Sequence, residues 1–202
     1  MKLYFAPGAC SLSPHIVARE AGIDLQFTKV DTQTKAMEGG GDFWKVNPKG
    51  YVPALEFEPG DVLTEGPAIV QYLGDQRPAS GLVAPAGSRE RYQQQEMLGY
   101  INSELHKTYS PLFSPATPDA TREERKAYLQ KRYKLIEERL AGRAYLFGDT
   151  FTAADAYLFT VTRWAKFVQL DLSGFPNVLA FQERVAARPA VREALKAEGL
   201  LV

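Results

Sequence analysis

Residues 7–22 read PGACSLSPHIVAREAG, and the fold turns on how this stretch is read. Ahead of it, residues 2–6 (KLYFA) have the apolar and aromatic composition of a strand that must stop at Pro7-Gly8. Within it, Ser13-Pro14 reads as a helix start, with serine as the cap and proline at the first helical position. The helix continues through HIVAREA and ends at Gly22. Cys10, the only cysteine in 202 residues, falls between the strand and the helix.

Working outward, residues 25–31 (LQFTKVD) alternate like a second strand. Residues 32–51 form a polar, glycine-rich connection long enough to have a function of its own. PALEFE, the turn PGD and VLTE then read as a hairpin with Leu55 and Phe57 on one face, followed by a helix over GPAIVQYLGDQ. The order is β-α-β and then β-β-α. Residues 77–90 are rich in Pro, Gly, Ala and Ser and mark a boundary, giving a first domain over 1–80, a linker over 81–87 and a second domain over 88–202. That second part reads as helix throughout. Met97, Ile101 and Leu105 make one apolar stripe, and Thr121 with Glu124 forms a capping box before a long helix that Gly142 ends. Thr152 with Asp155 forms a second box, expected to serve folding. A last helix spans NVLAFQERVAAR, with a short helical tail after Pro189.

Lys plus Arg balances Asp plus Glu at 24 each, which argues against nucleic acid or an anionic membrane as partner. No apolar run is long enough to span a bilayer, and MKLYFAPGA is too short in its apolar part for a signal peptide. One cysteine permits no internal disulfide and fits a reducing, cytoplasmic setting. No cluster of metal-ligand residues stands out, so neither metal nor cofactor is expected.

Three short motifs carry candidate chemistry. A thiol titrates near ~8.5, and a helix start stabilises an anion by up to about 2 kcal/mol, enough to make thiolate a substantial fraction. The competing reading of Cys10 is a small buried hydrophobe. CSLS has the spacing of a C-x-x-C redox motif with serine at the resolving position, so a mixed disulfide on Cys10 would need an external thiol, glutathione being the cytosolic candidate. In GYVPAL, Pro53 is either an ordinary strand-edge proline or a cis proline whose neighbour Val52 offers its backbone to an extended peptide. In TEGPAI, Glu65 suits an ammonium and the Gly66 N–H suits a carboxylate, unless the stretch is a plain strand-to-helix turn. Sulfur activation, backbone pairing and capture of a zwitterion are together what glutathione requires.

YFAPGACSLSPHIVAREAGI, NPKGYVPALE, LTEGPAIVQYL, SELHKTYSPLF and FTAADAYLFTVTRWA, in this order over essentially the whole chain, resemble the bacterial beta-class glutathione S-transferases. The resemblance implies an α/β thioredoxin-like N-terminal domain, an all-α C-terminal domain, and a homodimer with its sites near the subunit interface. It implies that Cys10 matches the family's redox cysteine. It also implies glutathione contacts at Lys35, Val52, Glu65, Gly66, Ser103, Glu104 and His106. Gly99 departs from an asparagine common in the family, with Asn102 one turn on as a substitute, and Gly66 departs from a serine. Ser11 and the helix-start N–H groups are assigned to the glutathione thiolate, with His106 assisting. The electrophile is expected between the FAPGA loop and Tyr109, Pro111, Phe113 and Trp164. Tyr4, inside the first strand, is expected to pack. The expected activity is transfer of glutathione to, or its exchange with, small hydrophobic electrophiles. The alternatives are a specialised glutathione-dependent dehalogenase, isomerase or disulfide reductase, or a non-catalytic transferase-like ligand-binding protein.

Overall fold

A computed structural model of the chain describes residues 1–201. Strands β1 (Lys2–Phe5), β2 (Gln26–Lys29), β3 (Ala54–Glu58) and β4 (Asp61–Thr64) form one sheet in the order β2-β1-β3-β4. β1 runs parallel to β2 and antiparallel to β3, with Leu3 opposite both Phe27 and Leu55. The parallel pair needs a crossover, which α1 (Leu12–Glu20) supplies. Leu3 and Leu55 are fully buried against α1 and α2 (Gly66–Asp75), and Phe57 joins Leu55 on that face. Tyr4 and Ala54 face the other way and pack with Phe43, Val30 and Val52, so the 32–51 connection covers the second face of the sheet. Tyr4 packs as expected: its ring meets Phe43 at 5.5 Å and its hydroxyl donates to Glu56 Oε2 at 2.9 Å.

The first helix begins earlier than Ser13-Pro14 suggested. Its first residue is Leu12, and the Ser13 hydroxyl donates to the Cys10 carbonyl instead of capping. Proline is tolerated at the third helical position because first-turn N–H groups lack intrahelical partners anyway.

The remaining helices are α3 (Arg89–Tyr100), α4 (Lys107–Tyr109), α5 (Asp119–Leu140), α6 (Ala153–Thr162), α7 (Trp164–Val168), α8 (Pro176–Ala186) and α9 (Pro189–Ala197). A π-helical stretch, Ile101–His106, joins α3 to α4 in one rod. The Thr121–Glu124 box does not form: α5 starts three residues earlier, after Pro118, so Thr121 already lies in its first turn. Gly142 does end α5, at a φ of 70° that favours glycine. The Thr152–Asp155 box is present. Asp155 is fully buried and accepts from the Thr152 N–H at 2.8 Å, its hydroxyl at 2.7 Å and the Leu146 N–H at 2.8 Å. Every residue of α6 is buried, so it is the central helix of the bundle, and α1 packs on both α6 and α9. Arg91 clasps the Asp75 carboxylate with two bonds, at 2.6 and 2.8 Å, and donates to the Ala84 carbonyl, fixing the connection between α2 and α3. Among the described residues, no helix is long and apolar enough to cross a membrane, and no side-chain group is arranged to hold a metal.

Candidate active site

The loop ahead of Cys10 is held from the C-terminal end of the chain. Gly8, at a φ of 73°, donates its N–H to Glu198 Oε2 and accepts from Trp164 Nε1, both at 2.9 Å. Glu198 Oε1 meets His15 Nδ1 at 2.9 Å, so one buried carboxylate ties α9 to α1 and to the loop. Cys10 then follows at the mouth of α1.

The surroundings of the sulfur oppose the thiolate expected there. The N–H groups of Cys10 and Ser11 favour the anion, but burial of the sulfur, with the Glu65 carboxylate adding to it, pushes the thiol up to about 12. Consistently, Sγ is placed to donate to the Val52 carbonyl at 3.2 Å, a contact that favours the neutral thiol.

The Val52–Pro53 bond, just ahead of the interior strand β3, is cis. Glu65, at a φ of 71°, turns its carboxylate toward Lys49 Nζ at 2.6 Å and the Tyr51 hydroxyl at 3.0 Å. The Lys49 contact, offset in part by desolvation and aided by Tyr51, holds this carboxyl below its usual range. A Cβ added at Gly66 would meet nothing closer than Pro53 Cγ at 4.0 Å, so the start of α2 leaves open space beside its N–H.

From the other side, the π-helical stretch and its continuation present Asn102, His106, Lys107 and Ser110, and α6 presents Tyr157. The Tyr157 hydroxyl donates its one proton to Asn102 Oδ1 at 2.9 Å. Its 2.6 Å contact with His106 Nδ1 therefore has the imidazole N–H as donor, which leaves Nε2 with a lone pair. Burial first, and Lys107 second, lowers His106 to about 4, so the ring is neutral at pH 7. Trp164 packs edge-on against it at 4.9 Å.

These groups enclose a cavity of about 290 Å³ lined by Cys10, Val52, Pro53, Glu65, Gly66 and His106, among others. Through Cys10, Tyr51, Val52, His106 and Ser110 it opens into a mainly apolar chamber of about 800 Å³. The FAPGA loop, Phe113, Trp164, Phe167 and Leu200 form that chamber's walls, with Lys35 and Thr32 among its lining.

Sequence reasoning thus located much of the lining but not all of it. Ser11 is fully buried, its hydroxyl tied to the Ala6 N–H and carbonyl, and does not reach the cavity. Tyr109 is a core residue whose hydroxyl meets that of Tyr133 at 2.9 Å, and Pro111 lies in the turn Ser110–Phe113 without lining either cavity, while Phe113 at its end meets Trp164 at 5.5 Å. Ser103 donates to the Gly99 carbonyl and Glu104 pairs with Arg132 at 2.8 Å, both outside the cavity. Lys35 lines the larger chamber, not the smaller one, and its ammonium donates to the Thr32 carbonyl. Tyr51, Lys107, Ser110 and Tyr157 were missed. Ser110 follows His106 by four positions, the helical spacing that puts both on one face and pointed to it, whereas Lys107, one position on, carried no such signal. Nothing in the sequence joined Tyr157 to His106.

A strand–loop–helix thiol, a cis proline and an acidic helix start facing a helical bundle define a thioredoxin-like domain joined to an all-helical one. Residues 8–76 match the family model for the glutathione S-transferase N-terminal domain, and residues 100–189 match that for the C-terminal domain. The chain belongs to the glutathione S-transferase family. It is 49% identical over 200 residues to glutathione S-transferase GstA of Escherichia coli O157:H7, covering 99% of this chain and all of the relative. A sphingomonad glutathione S-transferase complexed with glutathione superposes with a TM-score of 0.95 at 44% identity, covering all of both chains. A beta-class enzyme of Sphingomonas chungbukensis gives 0.95 at 42%, again over all of both.

Proposed function

We propose that the protein is a beta-class glutathione transferase that binds glutathione in the smaller cavity and a small apolar electrophile in the larger one. The observation that carries this is the convergence of Cys10, Val52, Glu65, Gly66 and His106 on a polar pocket that opens into an apolar chamber. The γ-glutamyl ammonium meets Glu65 and the carboxylate meets the Gly66 N–H. The cysteinyl backbone pairs with Val52, and Lys35 reaches the glycyl carboxylate at the rim. Asn102 lines the cavity of its own chain, and Ser103 and Glu104 belong to the site as completed by a second copy in a homodimer. Glutathione is a co-substrate and no separate cofactor is required. The cytoplasm, where glutathione is reduced, is the setting.

In conjugation the glutathione S–H proton is relayed through His106 Nε2 to solvent, the sulfur forms a C–S bond with the electrophilic carbon, and a halide or other anion leaves. Phe113 and Trp164 hold the electrophile. A second reading, glutathione-dependent disulfide reduction, is favoured by the one thiol lining both cavities. Here Cys10 attacks oxidised glutathione, giving a mixed disulfide and one released glutathione, and the Cys10 proton goes by way of His106 to the leaving thiolate. External glutathione then resolves the mixed disulfide.

One preparation of Cys10→Ala tests both readings. Conjugation to a dinitrophenyl halide should persist, because it needs only an oriented glutathione sulfur, whereas disulfide reduction should vanish. Equal collapse of both activities at unchanged glutathione affinity would overturn this division of labour. No binding of glutathione by the wild-type protein would overturn the function itself.

A further inference from the structure

Glu65 lines the smaller cavity from the start of α2, at a φ of 71° that L residues rarely adopt and that persists only where the surroundings hold it. Its carboxylate is met by the turn over residues 47–51, NPKGY. The buried Asn47 side chain organises that turn: Oδ1 accepts from the Lys49 N–H at 3.1 Å, and Nδ2 donates to the Tyr51 carbonyl at 2.7 Å. One amide thus fixes the backbone on both sides of Gly50. Gly50 has a φ of 71°, and a Cβ there would stand 2.3 Å from Trp44 Cη2, so conformation and packing both favour glycine.

From this base two side chains converge on a single oxygen. Lys49 Nζ donates to Glu65 Oε1 at 2.6 Å and to Thr64 Oγ1 at 2.9 Å. The Tyr51 hydroxyl donates to the same Oε1 at 3.0 Å. Among the described residues, Glu65 Oε2 takes no hydrogen bond. Tyr51 and Glu65 line the cavity and Lys49 does not, so the cation meets the carboxylate from outside. Lys49 and Glu65 are each nearly half exposed, and a pair of that kind adds little to folding. Its consequence is orientation.

We propose that the 47–51 turn is a positioning clamp for Glu65, in which Tyr51 and Lys49 occupy one carboxylate oxygen and leave the other for the γ-glutamyl ammonium. The inference rests on the binding mode proposed above and adds residues that act through Glu65, not on the sulfur. A glutamate free to rotate loses side-chain entropy when it captures a ligand, and the clamp removes that loss in advance. Tyr51 is the informative member, because it is neutral and its hydroxyl can be removed without changing the charge around the ligand.

Calorimetry on wild type and Tyr51→Phe tests this with two ligands, glutathione and its analogue carrying hydrogen in place of the γ-glutamyl amino group. Glutathione should bind the variant about fivefold more weakly, the equivalent of one hydrogen bond of ~1 kcal/mol, while the analogue should bind both proteins alike. KM for glutathione should rise by the same factor with kcat changed far less, a division that general distortion of the fold would not produce. In a Glu65→Gln background, Tyr51→Phe should weaken glutathione little further, since both changes act through one carboxylate. Glutathione affinity within about 1.5-fold of wild type, or equal weakening of both ligands, would overturn the clamp. Wild-type protein that binds glutathione no more tightly than the analogue would instead overturn the placement of the ammonium on Glu65, and the clamp with it.

Discussion

Tyr157→Phe isolates the hydroxyl that sets the state of His106. The ring stays in the fully buried α6, so packing is preserved, while the 2.6 Å bond to His106 Nδ1 and the 2.9 Å bond to Asn102 Oδ1 are both lost. An unpaired buried polar group costs about 1–3 kcal/mol, so the imidazole recovers that energy by turning or by moving its proton to Nε2. Either change removes the lone pair from the cavity in part of the population. A well-placed base contributes about 10²–10⁴-fold, and losing its orientation for 1–3 kcal/mol corresponds to roughly 10–100-fold in kcat. KM for glutathione should move much less, because in the proposed binding mode the γ-glutamyl end is held at Glu65 and Gly66, away from Tyr157. Steady-state kinetics with a dinitrophenyl halide read both parameters, with thermal unfolding as the folding control. His106→Asn in the Tyr157→Phe background should then cost little more than His106→Asn alone, since both act through one base. A kcat within twofold of wild type in a folded variant, or fully additive losses, would refute the assignment of the tautomer.

Gly66→Ser should tighten glutathione binding by about 1 kcal/mol, because a Cβ there has 4.0 Å of clearance and a hydroxyl can add one bond to the γ-glutamyl carboxylate; unchanged affinity by calorimetry would mean that the carboxylate sits elsewhere. Glu198→Ala leaves the Gly8 N–H and the buried His15 Nδ1 without their partner and should destabilise the fold by about 1–3 kcal/mol in denaturant unfolding, unchanged stability showing that the pin on Gly8 is idle. Stability should also fall with acid. Between the ordinary histidine value of 6.5 and about 4, the unfolded chain takes up a proton at His106 that the folded protein refuses, so stability rises with pH through this window. At pH 5 the loss is about 2 kcal/mol, and His106→Gln should lack it when unfolding at pH 7 and pH 5 is compared. Equal pH dependence in both proteins would count against the lowered value.

The alternation of strand and helix up to Asp75, and the helical remainder, were legible because each element carries its own period and punctuation. Errors arose where two local signals competed. Ser13-Pro14 looked like a helix start, yet the chain had already turned at Ser11, whose hydroxyl is spent on Ala6. Thr121 and Glu124 had the spacing of a box, but Pro118 sets the backbone for α5 first. For Cys10 the sequence revealed the favourable helix start but not the opposing burial, which depends on Val52 and Glu65, 42 and 55 residues away. The Asn102–Tyr157–His106 chain spans 55 residues and a π-helical irregularity, and no periodic pattern announces either.

The central claim is that glutathione lies in the smaller cavity with its sulfur between Cys10 and His106. A crystal structure of the wild-type protein with reduced glutathione tests this most directly. The sulfur should lie within about 4 Å of both Cys10 Sγ and His106 Nε2, with the γ-glutamyl ammonium on Glu65 and its carboxylate on the Gly66 N–H. Glutathione bound elsewhere, or seated with its sulfur turned away from His106 and Cys10, would contradict the account.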